Sequence, residues 1–263
     1  MKLLALIIAF AISHFVKNPE KFRQFDWFTI WAGWFKQKVK LPSQELTVII
    51  VVGLPVLVIS LLAMGLFNSV VGELLLAVLV LSYSIGPQSL DEEVVNNTLR
   101  ENHGIRKNAK AAVVIKKMTK IAMHRWFGVF FWYVILGVVG AVLYRFSERL
   151  FAMTKDSDAL YPIVKSLMKI LNYPVSWAMV VSLAIASDFE RIYKKCVPSM
   201  KMDSIAKMDT SFLYDAADFA VENCEVDLDE KESIETITLN VLNRMLVVWL
   251  VFVSLLVILA VMR

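Results

Sequence analysis

Four charged residues at the edges of apolar runs, Glu73, Arg145, Glu148 and Asp188, are the first places where this chain could do chemistry. Ionisable groups at membrane depth are costly and mark binding or charge-relay positions. At headgroup level the same groups simply meet water, and the sequence leaves both readings open. The three histidines, His14, His103 and His124, are far apart and lack acidic neighbours at ligand spacing. His124, beside Arg125 and just before an apolar run, reads as an interfacial anchor ahead of a catalytic base. The two cysteines, Cys196 and Cys224, form no CxxC pair and have no histidine pair nearby, so neither a disulfide framework nor a zinc site is expected. No phosphate-binding P-loop, dinucleotide fingerprint, nucleophile elbow or HExxH is present. On these grounds no catalytic residue, metal or cofactor is assigned.

The elements that must position these groups are dominated by apolar runs. Of 263 residues, 58% are hydrophobic and 20% charged, and the mean hydropathy is +0.61. That mixture suits several membrane spans separated by polar segments. Leu46–Phe67, Phe127–Phe146 and Met245–Met262 read as spans, each close to the 20 or so apolar residues that cross a bilayer. Leu74–Ile85 and Val175–Ala186, the latter following Pro174, are shorter and read as return legs of helical hairpins. Leu3–Val16 resembles a signal peptide but lacks a clean cleavage site, and a retained short helix is expected.

Lys17–Glu45 and Pro87–Trp126 carry six and eight basic residues, which places both on the cytoplasmic side. Phe127–Phe146 then leads outward, so 147–173 is expected outside and 188–244 inside. Phe22, Phe25, Phe28, Ala32, Phe35 and Val39 share a helical stripe, with Trp27, Trp31 and Trp34 beside it, as in a helix lying at the interface. Ile105–Arg125 reads as a second basic amphipathic helix hugging the membrane, and its place beside a span argues against nucleic acid. Segment 188–244 is acidic, thirteen carboxylates against seven basic residues, with a helical pattern through Phe212, Asp215, Ala216 and Phe219. The expectation is an all-α polytopic membrane protein with interfacial amphipathic helices and a small cytoplasmic helical segment. It divides into a membrane-embedded region 1–187, the acidic segment 188–244 and a C-terminal transmembrane helix 245–263.

Three stretches carry a resemblance. HRWFGVFFWYVILGVVGAVLYRF (124–146), YPVSWAMVVSLAIASDFE (173–190) and LSYSIGPQSLDEEV (81–94) resemble the AmpE family of inner-membrane proteins, and more distantly the cobalamin-biosynthesis CobD/CbiB membrane enzymes. The matching positions are Trp132, Gly137, Gly140, Tyr144, Arg145, Pro174, Asp188 and Phe189. The family's Gly-Pro-x-Gly is here Gly137-Val138-Val139-Gly140, and its Pro-Ala-Arg-Leu is Pro174-Val175-Ser176-Trp177. The resemblance implies a non-enzymatic, multi-pass modulator in the bacterial inner membrane. Its implied role is to signal cell-wall stress to β-lactamase induction alongside a cell-wall-fragment amidase. The alternative it implies is a cobalamin-synthase-like enzyme acting on a phosphate-bearing substrate. A transporter is disfavoured because the spans are few. The candidate binding positions are Tyr144, Arg145, Glu148, Pro174, Asp188, Glu73 and His124.

Overall fold

The computed structural model describes residues 2–15, 25–39, 41–66, 70–84, 90–187, 190, 192, 208–225 and 233–261. Asp188, Phe189, Phe22 and Cys196 lie outside the described residues. Among the described residues every regular element is helical: α1 (Lys2–Phe15), α2 (Asp26–Lys38), α3 (Gln44–Leu66), α4 (Val70–Ser84), α5 (Leu90–Val95), α6 (Leu99–Asn102), α7 (Ala111–Ala122), α8 (Gly128–Leu136), α9 (Val138–Met153) and α10 (Tyr161–Ala186). A π-helical turn, Met123–Phe127, joins α7 to α8, and helices Ser211–Glu225 and Ile234–Val261 complete the chain. By packing the chain divides into two discontinuous units, Met1–Pro87 with Gly128–Leu171, and Gln88–Phe127 with Asn172–Arg263.

Three helices are long and apolar enough to cross a membrane: Gln44–Ala63, Tyr161–Ala186 and Ile234–Leu256. Two of these overlap the expected spans Leu46–Phe67 and Met245–Met262. The third corrects an expectation. Pro174 does not open a short return leg but sits inside one continuous helix of 26 residues. Proline removes a single backbone donor and is tolerated in long apolar helices whose neighbours re-satisfy the freed carbonyl.

The stretch 127–146 is a larger departure, for it is not one straight crossing. Gly137 adopts φ +67° and ψ −149°, a conformation open in practice only to glycine, and the chain turns back on itself there. Gly128 and Tyr144 would lie about 24 Å apart along a single helix, at 1.5 Å per residue. Instead a Cβ on Gly128 would overlap the Tyr144 ring, and one on Gly140 would overlap the Trp132 carbonyl and come within 2.7 Å of Leu136 Cβ. The stretch is therefore a tight hairpin with a one-residue turn. At 9 residues α8 is about 14 Å long, far short of a bilayer core.

In the first unit α9 is the hub, packed by α2, α3, α4 and α8, while α1 lies along α4. The stripe of α2 is helical where it is described, but protein rather than a membrane surface covers it: Phe28, Ala32 and Phe35 are buried, and Phe28 stacks on Phe146 at 4.7 Å. Ala5, Leu6 and Ala9 of α1 are also buried, so the N-terminal helix is part of this packing. The turn after α9 returns to the end of α2, where Lys36 Nζ donates to Asp158 Oδ2 at 2.9 Å. Segment 147–173 was expected on the side opposite the basic 17–45 loop. The ion pair instead sets Asp158 at the same end of this unit as Lys36, because the Gly137 turn brings the chain back.

In the second unit α7 is packed by the Ser211–Glu225 and Ile234–Val261 helices. Its buried face is Val114, Ile115, Met118, Thr119 and Ala122, so the stripe expected to lie on a membrane is covered by protein. An amphipathic pattern registers only that one side is apolar, and a helical neighbour satisfies it as well as a lipid does. Phe212 and Ala216 face inward as their spacing implies, while Asp215 is exposed.

Candidate functional site

Among the described residues, each unit holds a charged cluster of three side chains. In the first, α9 presents Arg145, Glu148 and Arg149 within its last two and a half turns. Spacing of three and four residues puts all three on neighbouring positions of one helix surface. Arg145 Nη1 donates to Glu148 Oε2 at 3.1 Å, and Arg149 Nε stands 3.8 Å from the same oxygen. Arg145 is almost fully buried, whereas the Arg149 side chain is 30% exposed. Phe25, at the start of α2, lies under both cations, its centroid 4.7 Å from Arg149 Cζ and 5.9 Å from Arg145 Cζ. Phe25 also packs on Tyr83 at 4.6 Å, and Trp27 Nε1 donates to the Tyr83 hydroxyl at 2.8 Å. A guanidinium over an aromatic face gains electrostatic attraction without surrendering its in-plane donors. The arrangement can receive an anion; it contains no paired nucleophile and base.

The other expected positions of this unit take structural places. Tyr144 is fully buried, its ring filling the notch at Gly128, so it offers no surface to a ligand. Glu73 lies in the first turn of α4, where a negative charge complements the helix dipole, and its charge reaches Tyr133. Trp132 Nε1 donates to Leu171 O at 3.2 Å, tying α8 to α10.

The second cluster was not foreseen. Glu93 of α5 is buried and accepts from His103 Nε2 at 3.0 Å and from Arg125 Nη2 at 3.2 Å. Burial alone would raise the Glu93 carboxyl, but the His103 hydrogen bond and the Arg125 charge outweigh it and hold the group below the usual carboxylate range. Nearby in sequence, Asp91 Oδ1 accepts from Asn243 Nδ2 at 3.4 Å, and Arg100 Nε donates to Glu235 Oε1 at 2.6 Å while its Nη1 reaches Lys107 O. These contacts fasten α5 and α6 to the start of the terminal helix. His103, read as lacking an acidic neighbour, has one ten residues upstream. His124 is half-buried, with Asn172 Nδ2 3.4 Å from its Nε2, rather than open to an interface. The one sequence signal for this cluster is the acidic run Asp91-Glu92-Glu93 facing the later basic residues, which has no periodicity to flag it. No group of three metal-ligating side chains occurs among the described residues.

Comparison with protein families, curated proteins and solved structures returns no match.

Proposed function

We propose that this chain is a multi-pass protein of the bacterial inner membrane acting as a regulatory modulator of the AmpE type, coupling cell-wall stress to β-lactamase induction, rather than an enzyme. The three long apolar helices supply the membrane setting. One observation carries the reading furthest. The residues of the 124–146 motif that match the family, Trp132, Gly137, Gly140, Tyr144 and Arg145, form a single device, the hairpin with its glycine turn, its two close contacts and its buried cation. A motif accounted for by architecture supports kinship of fold without calling for turnover. Glu148 and Glu93 are each held by cations rather than poised as general bases.

The test is genetic. Deleting the gene, or replacing Arg145 with alanine, in a strain with inducible β-lactamase should change the induction produced by a cell-wall-active antibiotic. Unchanged induction in the deletion strain overturns the regulatory role. Turnover of a corrinoid acid and an amino-alcohol phosphate by the purified protein, with nucleotide and magnesium, would instead establish the cobalamin-synthase alternative.

A further inference from the structure

The end of α9 carries an arrangement that internal packing does not account for. Glu148 is hydrogen-bonded to Arg145, so the second guanidinium, that of Arg149, stands 3.8 Å from a carboxylate already engaged. Its Nε is buried and makes no hydrogen bond, while the side chain is 30% exposed and its Cζ lies 4.7 Å from the Phe25 ring centroid. Beside it, Trp27 is 44% exposed while bonded to Tyr83, an amphipathic pair of the kind that sits at headgroup level. From Tyr83 an exposed apolar row runs down α4 at a spacing of four residues: Leu79, Leu75 and Val71, exposed by 67%, 63% and 64%. Its length, twelve residues or about 18 Å, is close to the depth of one leaflet of a bilayer.

We propose that Arg149, with Trp27 and Tyr83, forms a specific site for the phosphate of an anionic phospholipid, and that the Leu79–Leu75–Val71 row carries one of its acyl chains. A guanidinium fork matches a phosphodiester in geometry and charge. The apolar row beginning at the same spot distinguishes a lipid from free phosphate, which would gain nothing from it. The inference rests on the membrane reading; separating cells into membrane and soluble pools tests that reading independently.

The experiment uses the full chain in neutral detergent and follows thermal unfolding. Phosphatidylglycerol should raise the melting temperature by about 3 °C more than phosphatidylethanolamine at equal lipid content. Arg149→Gln should lose most of that difference. Arg149→Lys, which keeps the charge but not the planar fork, should retain a reduced one. Equal shifts from the two lipids, or an undiminished shift in both variants, overturns the site. Inorganic phosphate alone reproducing the full shift overturns the lipid as its occupant.

Discussion

Lys36 and Asp158, 122 residues apart, meet at 2.9 Å. The contact joins the end of α2 to the turn between α9 and α10, and it exists because the chain reverses at Gly137. Burial alone would raise the Asp158 carboxyl, but the Leu160 backbone N–H and Lys36 hold it below its ordinary value. In a membrane, two groups in an ion pair share a side. A phosphatase reporter fused after Asp156 should therefore match one fused after Gln37, both active or both inactive. Opposite activities would sink the hairpin reading of 128–153.

The hairpin should be sensitive to single methyl groups. Gly137→Ala forces an L residue into a region that costs on the order of 1–3 kcal/mol, and Gly140→Ala drives a methyl into the Trp132 carbonyl. Each should lower the unfolding midpoint clearly. Gly33→Ala, where an added Cβ meets nothing within 4 Å and the helix is regular, should be neutral or slightly stabilising. Equal responses at the three positions would contradict the turn.

Phe28 is fully buried, with its ring nearly parallel to that of Phe146, at 9°. Phe28→Ala should destabilise the protein by about 3–5 kcal/mol, the range for deleting a buried aromatic. Ile30→Ala, on the exposed side of the same helix at 71% exposure, should cost far less in detergent. Denaturant titration of the two variants separates them.

Removing the Glu93 charge takes a buried counter-charge from Arg125 and His103, and Glu93→Gln should cost about 3 kcal/mol. The pH dependence has a definite direction. Because the folded carboxyl lies below its unfolded value of about 4.3, its contribution is complete above that value. It is lost as pH falls through the lower, folded value. Acid melts should show the wild type losing stability below about pH 4.3 more steeply than Glu93→Gln. Parallel acid limbs would remove Glu93 from the account.

Much of the helical content was readable from pattern. The Phe28–Ala32–Phe35 stripe and the apolar runs within α3 and the terminal helix report burial and length, which composition encodes directly. The Gly137 turn was not readable, because hydropathy averages over a window and a reversal by one glycine leaves the apolar run unbroken. Pro174 misled in the opposite sense, since a proline signals a boundary unless tertiary packing carries the helix past it. The burial of α7 was hidden for a third reason: the pattern marks an apolar side but not what covers it. For the candidate sites, Arg145 and Glu148 were legible as neighbours at a span edge. Glu93, His103 and Arg125 were not, since 10 and 32 residues separate them and only the packing of α5 beside the π turn brings them together.

The buried Arg145 has its counter-charge three residues along the same helix. A lone arginine deep in a bilayer costs on the order of 3 kcal/mol by insertion scales, and a partner on another segment relieves that only once both have arrived. Here Arg145 meets its counter-charge as soon as the turn holding 145–148 has formed. The pairing is local to one helix, so it forms without waiting for any other helix to pack, and Arg149 leaves the cluster with one net positive charge.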